Sequence, residues 1–350
     1  MEIFNPLAPY NLPIIIWQTV WMGMVLGFVI VFALVAVWLE RKISAYAQDR
    51  YGPMETGGWG FHGWAQTLAD ALKLLLKEDI IPALADKRLF KLAPYIVFAG
   101  SLGVLAVIPF GANLIGTDLN IGVYYAVALS STVVIGILMA GWASNNKWAL
   151  YGAMRSAAQI VSYEIPISLS LMLPVMMAGS LSFIDIIEAQ RVGFPGEGYF
   201  WNWYLFRVPP FTFIAFIIYF WASLAETNRT PFDIPESESE LVAGYHTEYT
   251  GIRFAMFFLA EYANMFIVAA IATTVFLGGP LAPAPWLNFI PGPIWMVLKA
   301  MVIVFVQIQL RWTLPRVRVD QLMHICWKVF LPLALLNFIA IATVAMLWPK

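Results

Sequence analysis

Residues 14–38 read IIIWQTVWMGMVLGFVIVFALVAVW, about 25 positions without a charge. At about 1.5 Å of rise per residue, such a helix crosses roughly 30 Å of hydrocarbon. Further charge-poor windows follow at 92–110, 121–142, 157–177, 208–224, 254–277, 294–310 and 329–348. The expected fold is all-α: a polytopic membrane protein of about eight transmembrane helices, one helical domain over 1–350. Composition agrees, because 61% hydrophobic against 12% charged residues leaves too little polar surface for a soluble globule.

The basic residues set an orientation. All Lys and Arg except Arg191, Arg207, Lys299 and Lys350 fall in the odd-numbered connections between these windows. The positive-inside rule makes those connections cytoplasmic and puts the N-terminus on the non-cytoplasmic side. No Lys or Arg precedes the first window, so the basic region of a cleaved signal peptide is missing and an uncleaved anchor is expected. The single Cys326 and the scattered His62, His246 and His324 offer no thiolate cluster, haem pair or zinc triad, so no metal is expected. A net charge of -1 without a basic stripe argues against nucleic acid.

The polar residues gather in two cytoplasmic loops. The first, 39–90, opens on Glu40-Arg41-Lys42. Its Gly58, Gly60 and Gly63 spell a dinucleotide fingerprint, but no strand precedes them and the reading is rejected. Over 64–77, Trp64, Leu68, Ala71, Leu72 and Leu75 share one helical face and Gln66, Asp70, Lys73 and Lys77 the other, which predicts an amphipathic interfacial helix. A second short interfacial helix is expected around 184–190. The other loop, 225–252, carries Glu226, Asp233, Glu236, Glu238, Glu240 and Glu248, with Pro231 and Pro235 preventing one uniform helix.

Ionisable groups also lie within the windows or at their ends: Glu164, Glu226, Glu261 and Lys299. Each costs roughly 2.5–3.5 kcal/mol at mid-helix, so each needs a partner or water. A proton relay and a set of interhelical ion pairs both fit.

The motifs resemble a known family. Glu40-Arg41-Lys42, Gly52-Pro53, Ala69-Asp70 with Lys73, Ser144-Asn-Asn-Lys147, Ser162-Tyr-Glu164, Glu226-Thr-Asn-Arg-Thr-Pro-Phe-Asp233, Tyr245-His-Thr-Glu-Tyr249, Ala260-Glu-Tyr262 and 314–322 follow in order. They are similar to the family of the H membrane subunit of NADH-quinone oxidoreductase, respiratory complex I, called subunit 1 in mitochondria. The resemblance implies a bacterial inner-membrane protein, with the mitochondrial inner membrane as the alternative, contacting lipid, other membrane-arm subunits and the quinone-site subunits of the peripheral arm. It implies quinone as substrate and no flavin, haem or iron-sulfur cluster in this chain. By carry-over, Glu40, Arg41, Asp70, Lys73, Arg229, Phe232 and Asp233 would line a quinone chamber. A proton relay would run through Glu164, Glu226, Glu236, Glu238, Glu240, Glu248 and Glu261. One departure is Gly52-Pro53-Met54-Glu55 where the family has Gly-Pro-Asn, with 53–70 about three residues longer than usual. A related subunit of membrane-bound hydrogenases or ferredoxin-oxidising complexes is the first alternative. A stand-alone ion transporter is the second, though no convincing internal repeat supports it.

Overall fold

The computed structural model describes residues 14–57, 62–111, 114–192, 198–235 and 238–347. The uncharged opening run forms α1, Ile14–Ala47, which continues past Trp38 and so carries Glu40 and Arg41 on its polar end. Next comes α2, Ala65–Leu76. Asp86 caps α3, Lys87–Val104, by accepting the amides of Arg88 and Leu89 at 3.0 and 3.3 Å, which satisfies donors a helix start leaves free. After α4, Gly122–Ala143, Asn146 caps α5, Lys147–Ala178, through the amide of Trp148 at 2.9 Å. The chain goes on through α6, Phe183–Arg191, α7, Tyr204–Arg207, α8, Phe211–Glu226, α9, Glu238–Leu241, and α10, Gly251–Phe276. It ends with α11, Gly292–Thr313, α12, Val319–Ile325, a π turn over Cys326–Phe330, and α13, Leu331–Leu347.

Every one of the eight apolar windows carries a helix, and no β-strand occurs among the described residues. Among the described residues, six helices are long and apolar enough to cross a membrane: Ile15–Ala47, Gly122–Ala143, Lys147–Ala178, Gly251–Phe276, Gly292–Thr313 and Val319–Val344. The other two windows differ for visible reasons. Phe211–Glu226 is apolar but shorter, and Lys87–Val104 opens on Lys87, Arg88 and Lys91, which dilute its hydropathy. A short helix is found where one was expected around 184–190, as α6.

The core is built around α10. From Ala263 nearly every residue is buried, and small Ala269, Ala270 and Ala272 let α3, α8 and α11 come close. Phe266 meets Phe28 and Phe32 of α1 with ring centroids 4.8 and 5.1 Å apart. α5 instead carries the acidic loop. Buried Gln159 donates to the carbonyls of Ala225 and Phe232, both at 2.7 Å, and so staples the two sides of the loop to one helix.

Gly152 brings α5 still closer to that loop. A Cβ there would stand 2.6 Å from Cα of Gly244 and 2.9 Å from the amide nitrogen of Tyr245, both backbone atoms. Gly152→Ala is therefore expected to destabilise by about 1–3 kcal/mol through overpacking. The check is thermal unfolding of the solubilised protein; an unchanged Tm would mean that the turn can move off the helix freely.

The amphipathic helix presents its apolar face outward. Leu68, Leu72 and Leu75 are exposed, Leu76 to 87%, while Thr67 is buried against the bundle. The polar side is tied to α1, since Arg41 pairs with Asp70 at 2.6 Å.

Candidate functional site

Five residues from four parts of the chain meet in one buried cluster. Glu40 comes from the polar end of α1, Arg229 from the loop after α8, Glu261 and Tyr262 from the first half of α10, and Arg311 from the last turn of α11. Arg229 bridges two acids, with one nitrogen 3.2 Å from Glu40 and another 3.1 Å from Glu261. Arg311 makes a second, very short contact with Glu40, and the Tyr262 hydroxyl donates to the same carboxylate at 2.5 Å. The Tyr262 ring lies under the Arg229 guanidinium, 4.5 Å from its carbon. Burial opposes the charge on Arg229, but Glu261 and then Glu40 outweigh it and hold the guanidinium well above its ordinary pKa. Two carboxylates against two guanidiniums leave the cluster neutral, which is what allows it to be buried.

A cavity of about 570 Å³ opens beside this cluster. α1 lines it with Val37, Glu40, Arg41 and Ser44, α10 with Phe258 and Tyr262, and α11 with Arg311 and Trp312; Gln66 of α2 stands at one side. Arg50 and Pro53 complete the lining, so charged and polar side chains converge on one cavity with Val37, Phe258 and Trp312 as its apolar part, at a volume within the range of small-molecule sites. The α2 side is held by a short chain of polar contacts. Thr56 donates to Gln66 at 2.6 Å, Gln66 to Asp70 at 3.0 Å, and Asp70 is ion-paired with Arg41.

The residues singled out from sequence are distributed as follows. Glu40 and Arg41 line the cavity, Asp70 lies at its rim, and Lys73 is exposed on α2. Arg229 sits one layer behind the wall, reaching it through Glu40. Phe232 is buried between Tyr163 and Trp221, with centroids 5.5 and 6.4 Å away. Asp233 pairs with Arg316 at 2.9 Å. Of the acids assigned to the relay, Glu261 is the one that joins the Arg229 cluster among the described residues. Glu164 accepts a very short hydrogen bond from Ser131, and Glu226 lines a small cavity with Ser130. Glu240 pairs with Arg155 at 2.6 Å near the surface, and Glu248 accepts from Asn146 at 2.6 Å. Glu236 and the side chain of Glu238 lie outside the described residues. Arg311 and Tyr262 were not singled out from sequence as site residues, because an arginine at a helix end reads as a topology anchor and a tyrosine as packing.

These features define a class: a helical membrane protein with a cavity walled by charged residues and with ionisable side chains inside its apolar helices, and with no group of three or more His, Cys, Asp or Glu able to hold a metal among the described residues. The sequence matches the family profile described as NADH dehydrogenase over residues 20–342. It is 55% identical to the H subunit of the NADH-quinone oxidoreductase of Chlorobaculum parvum over 328 residues, 91% of this chain and 89% of that one. The corresponding subunit of Chlorobium luteolum is 48% identical over 371 residues, 97% and 98% of the two chains, and that of Geobacillus sp. strain WCH70 is 50% identical over 325 residues, 91% and 92%. The chain therefore belongs to the family of NADH-quinone oxidoreductase H subunits.

Proposed function

We propose that this chain, a membrane subunit of NADH-quinone oxidoreductase, forms much of the quinone-binding chamber and links it to a chain of acids that carries protons. The observation that carries the reading is the cavity of about 570 Å³ walled by Glu40, Arg41, Tyr262 and Arg311, with Arg229 and Glu261 directly behind. Its volume suits a quinone head group with the first part of its tail. The exposed apolar face of α2 beside it suits an entrance from lipid.

The chemistry follows from charge. The redox centres that reduce the quinone belong to other subunits of the assembly. Two electrons delivered to a quinone call for two protons, and a negative charge in the cavity would act first on Arg311 and Arg229, which both hold Glu40. Any loosening of Arg229 changes the field at Glu261, its other partner. From there the acids of the 225–252 loop, then Glu226 and Glu164, provide successive proton-accepting positions along α8, α5 and α4. The basic end of the bundle is the cytoplasmic one in this reading, facing the peripheral arm, and the membrane is the bacterial inner membrane.

Glu261→Gln and Glu164→Gln test the relay. Each should lower proton pumping per assembled complex, coupled to NADH oxidation by a long-chain quinone, at least about tenfold; Glu164→Gln should leave the amount of complex near normal, whereas Glu261→Gln takes one carboxylate from the buried Arg229 and should also lower it. The measurement is dye-quench proton uptake in proteoliposomes, normalised to NADH:ferricyanide activity. Unchanged pumping in both single variants would remove the relay from this chain.

A further inference from the structure

Two serines adjacent in α4 each serve a different acid. Ser131 hydrogen-bonds Glu164 of α5, and Ser130 lines one small cavity with Glu226, at the end of α8. Both hydroxyls also lie within reach of one backbone oxygen: Ser130 Oγ is 2.9 Å and Ser131 Oγ 3.0 Å from the carbonyl of Val127. Glu226 and Ser130 share a small cavity, about 20 Å³, whose other polar lining is Asn264 and Tyr219 and whose remaining wall is apolar. That volume holds one water.

A hydroxyl has one proton to give and two lone pairs to receive with. Beside an ionised carboxylate its proton turns to the carboxylate. Beside a protonated carboxyl it receives the acid's proton on its oxygen and turns its own toward Val127. Each acid thus keeps a partner in both protonation states, so neither state strands a buried polar group. The Val127 carbonyl is a shared resource. It has two lone pairs, one of which the α-helical amide four residues on occupies, and so it takes one serine hydroxyl at a time. With one serine turned to it, the other is left facing its carboxylate, which favours the ionised acid there.

We propose that Ser130 and Ser131 are positioning residues that let Glu226 and Glu164 hold at most one proton between them, each hydroxyl turning to the Val127 carbonyl when its own carboxylate is protonated. A proton arrives at one acid only once the other has lost its own, and the two hydroxyls exchange orientations with each such transfer, returning to the first arrangement after the second. The inference rests on the relay reading above and assigns to that relay two residues and an order of events: the pair fills and empties alternately.

The test uses the assembled complex in proteoliposomes carrying Ser130→Ala, Ser131→Ala, and the threonine counterparts Ser130→Thr and Ser131→Thr. Threonine in a helix can bond the same i−3 or i−4 carbonyl, so it keeps the switch, whereas alanine removes it. NADH:ferricyanide activity reports assembly. Inhibitor-sensitive NADH oxidation by a long-chain quinone and proton uptake are read in water and in deuterium oxide. The alanine variants are expected to lose pumping on the order of tenfold, with a larger solvent isotope effect, and the threonine variants to recover it to within about twofold. Full pumping in both alanine variants, or loss that threonine does not rescue, overturns the proposal. Glu164→Gln and Glu226→Gln run in parallel: if they pump normally the relay itself falls and the serines with it, whereas if they fail while the alanine variants pump, only the serine switch falls. Should an alanine variant not assemble, Ser→Cys at the same position, close in size but a weak donor, is judged by the same outcomes.

Discussion

Replacing Arg229 by alanine is expected to abolish inhibitor-sensitive quinone reduction and to deplete the assembled complex. Arg229 is 2% exposed and holds Glu40 and Glu261 together, at 3.2 and 3.1 Å. Without it, two carboxylates are left buried with Arg311 as the remaining cation on Glu40 and with the ring of Tyr262 uncovered. Breaking a buried pair by removing one partner costs about 3–5 kcal/mol, because the abandoned charge has lost both water and counter-ion. That is a large share of what a folded chain has in reserve. Arg229→Lys should be intermediate, since an ammonium is a point charge and cannot reproduce the fork that reaches both acids. Native-gel quantities of the complex and inhibitor-sensitive turnover per complex separate the two effects. Normal turnover in Arg229→Ala would mean that Glu40 and Glu261 do not depend on it.

The second large effect is expected at the opposite end of the bundle. Lys299 of α11 is 8% exposed. Its ammonium donates to the carbonyls of Leu277, Gly279 and Leu281 at 2.7, 3.0 and 2.7 Å and lies 4.0 Å from the centre of the Trp203 ring. Three donors meet three acceptors, the full capacity of an ammonium. The turn that aims those carbonyls contains Gly278 and Gly279 at φ +73° and +54°, a conformation that side chains disfavour. Since these carbonyls follow the C-terminus of α10, the positive charge also sits where the helix dipole favours it. Lys299→Met should cost about 3 kcal/mol or more, given 1.5–3 kcal/mol for a hydrogen bond to a charged group, and lower the Tm of the solubilised protein by several degrees. An equal Tm would show the cage to be idle. As a clamp on the turn after α10, Lys299 has a use distinct from both the proton relay and the interhelical ion pair that its depth in the membrane suggests.

Much of the fold was legible because it depends on local composition. A run such as 14–38 has one solution in a bilayer, and the alternation of apolar windows with basic connections located all eight helices. The helix at 64–77 was legible too, since its two faces differ at a 3.6-residue period. The pairings were not. Glu40, Arg229 and Glu261 could each be marked as costly to bury, but nothing local to any of them says that they meet across nearly the whole chain. Arg311 shows the same limit from the other side: its position at the end of α11 fits topology, and only the packing of α11 against α1 turns it toward Glu40. The serines of α4 were invisible because a serine in a membrane helix normally satisfies itself on its own backbone. Their part emerges once α5 and α8 bring acids to the same turn.

The outward face of α2 gives the lipid a share in the architecture. Leu68, Leu72, Leu75 and Leu76 find no cover within the chain, and burial of each such side chain is worth about 1.5–3 kcal/mol wherever it finds apolar surroundings. The inner face is joined to α1 chiefly through the half-exposed pair of Arg41 and Asp70, an attachment worth about 1 kcal/mol or less. The chain after this helix is fastened to the start of α10, where Arg253 pairs with Asp79 at 2.9 Å and the amide of Ile80 donates to Thr250 at 3.1 Å, so the protein fixes one end of the helix and its outward face is left to the surroundings. The bilayer acts here as a wall of the building rather than as the ground on which it stands.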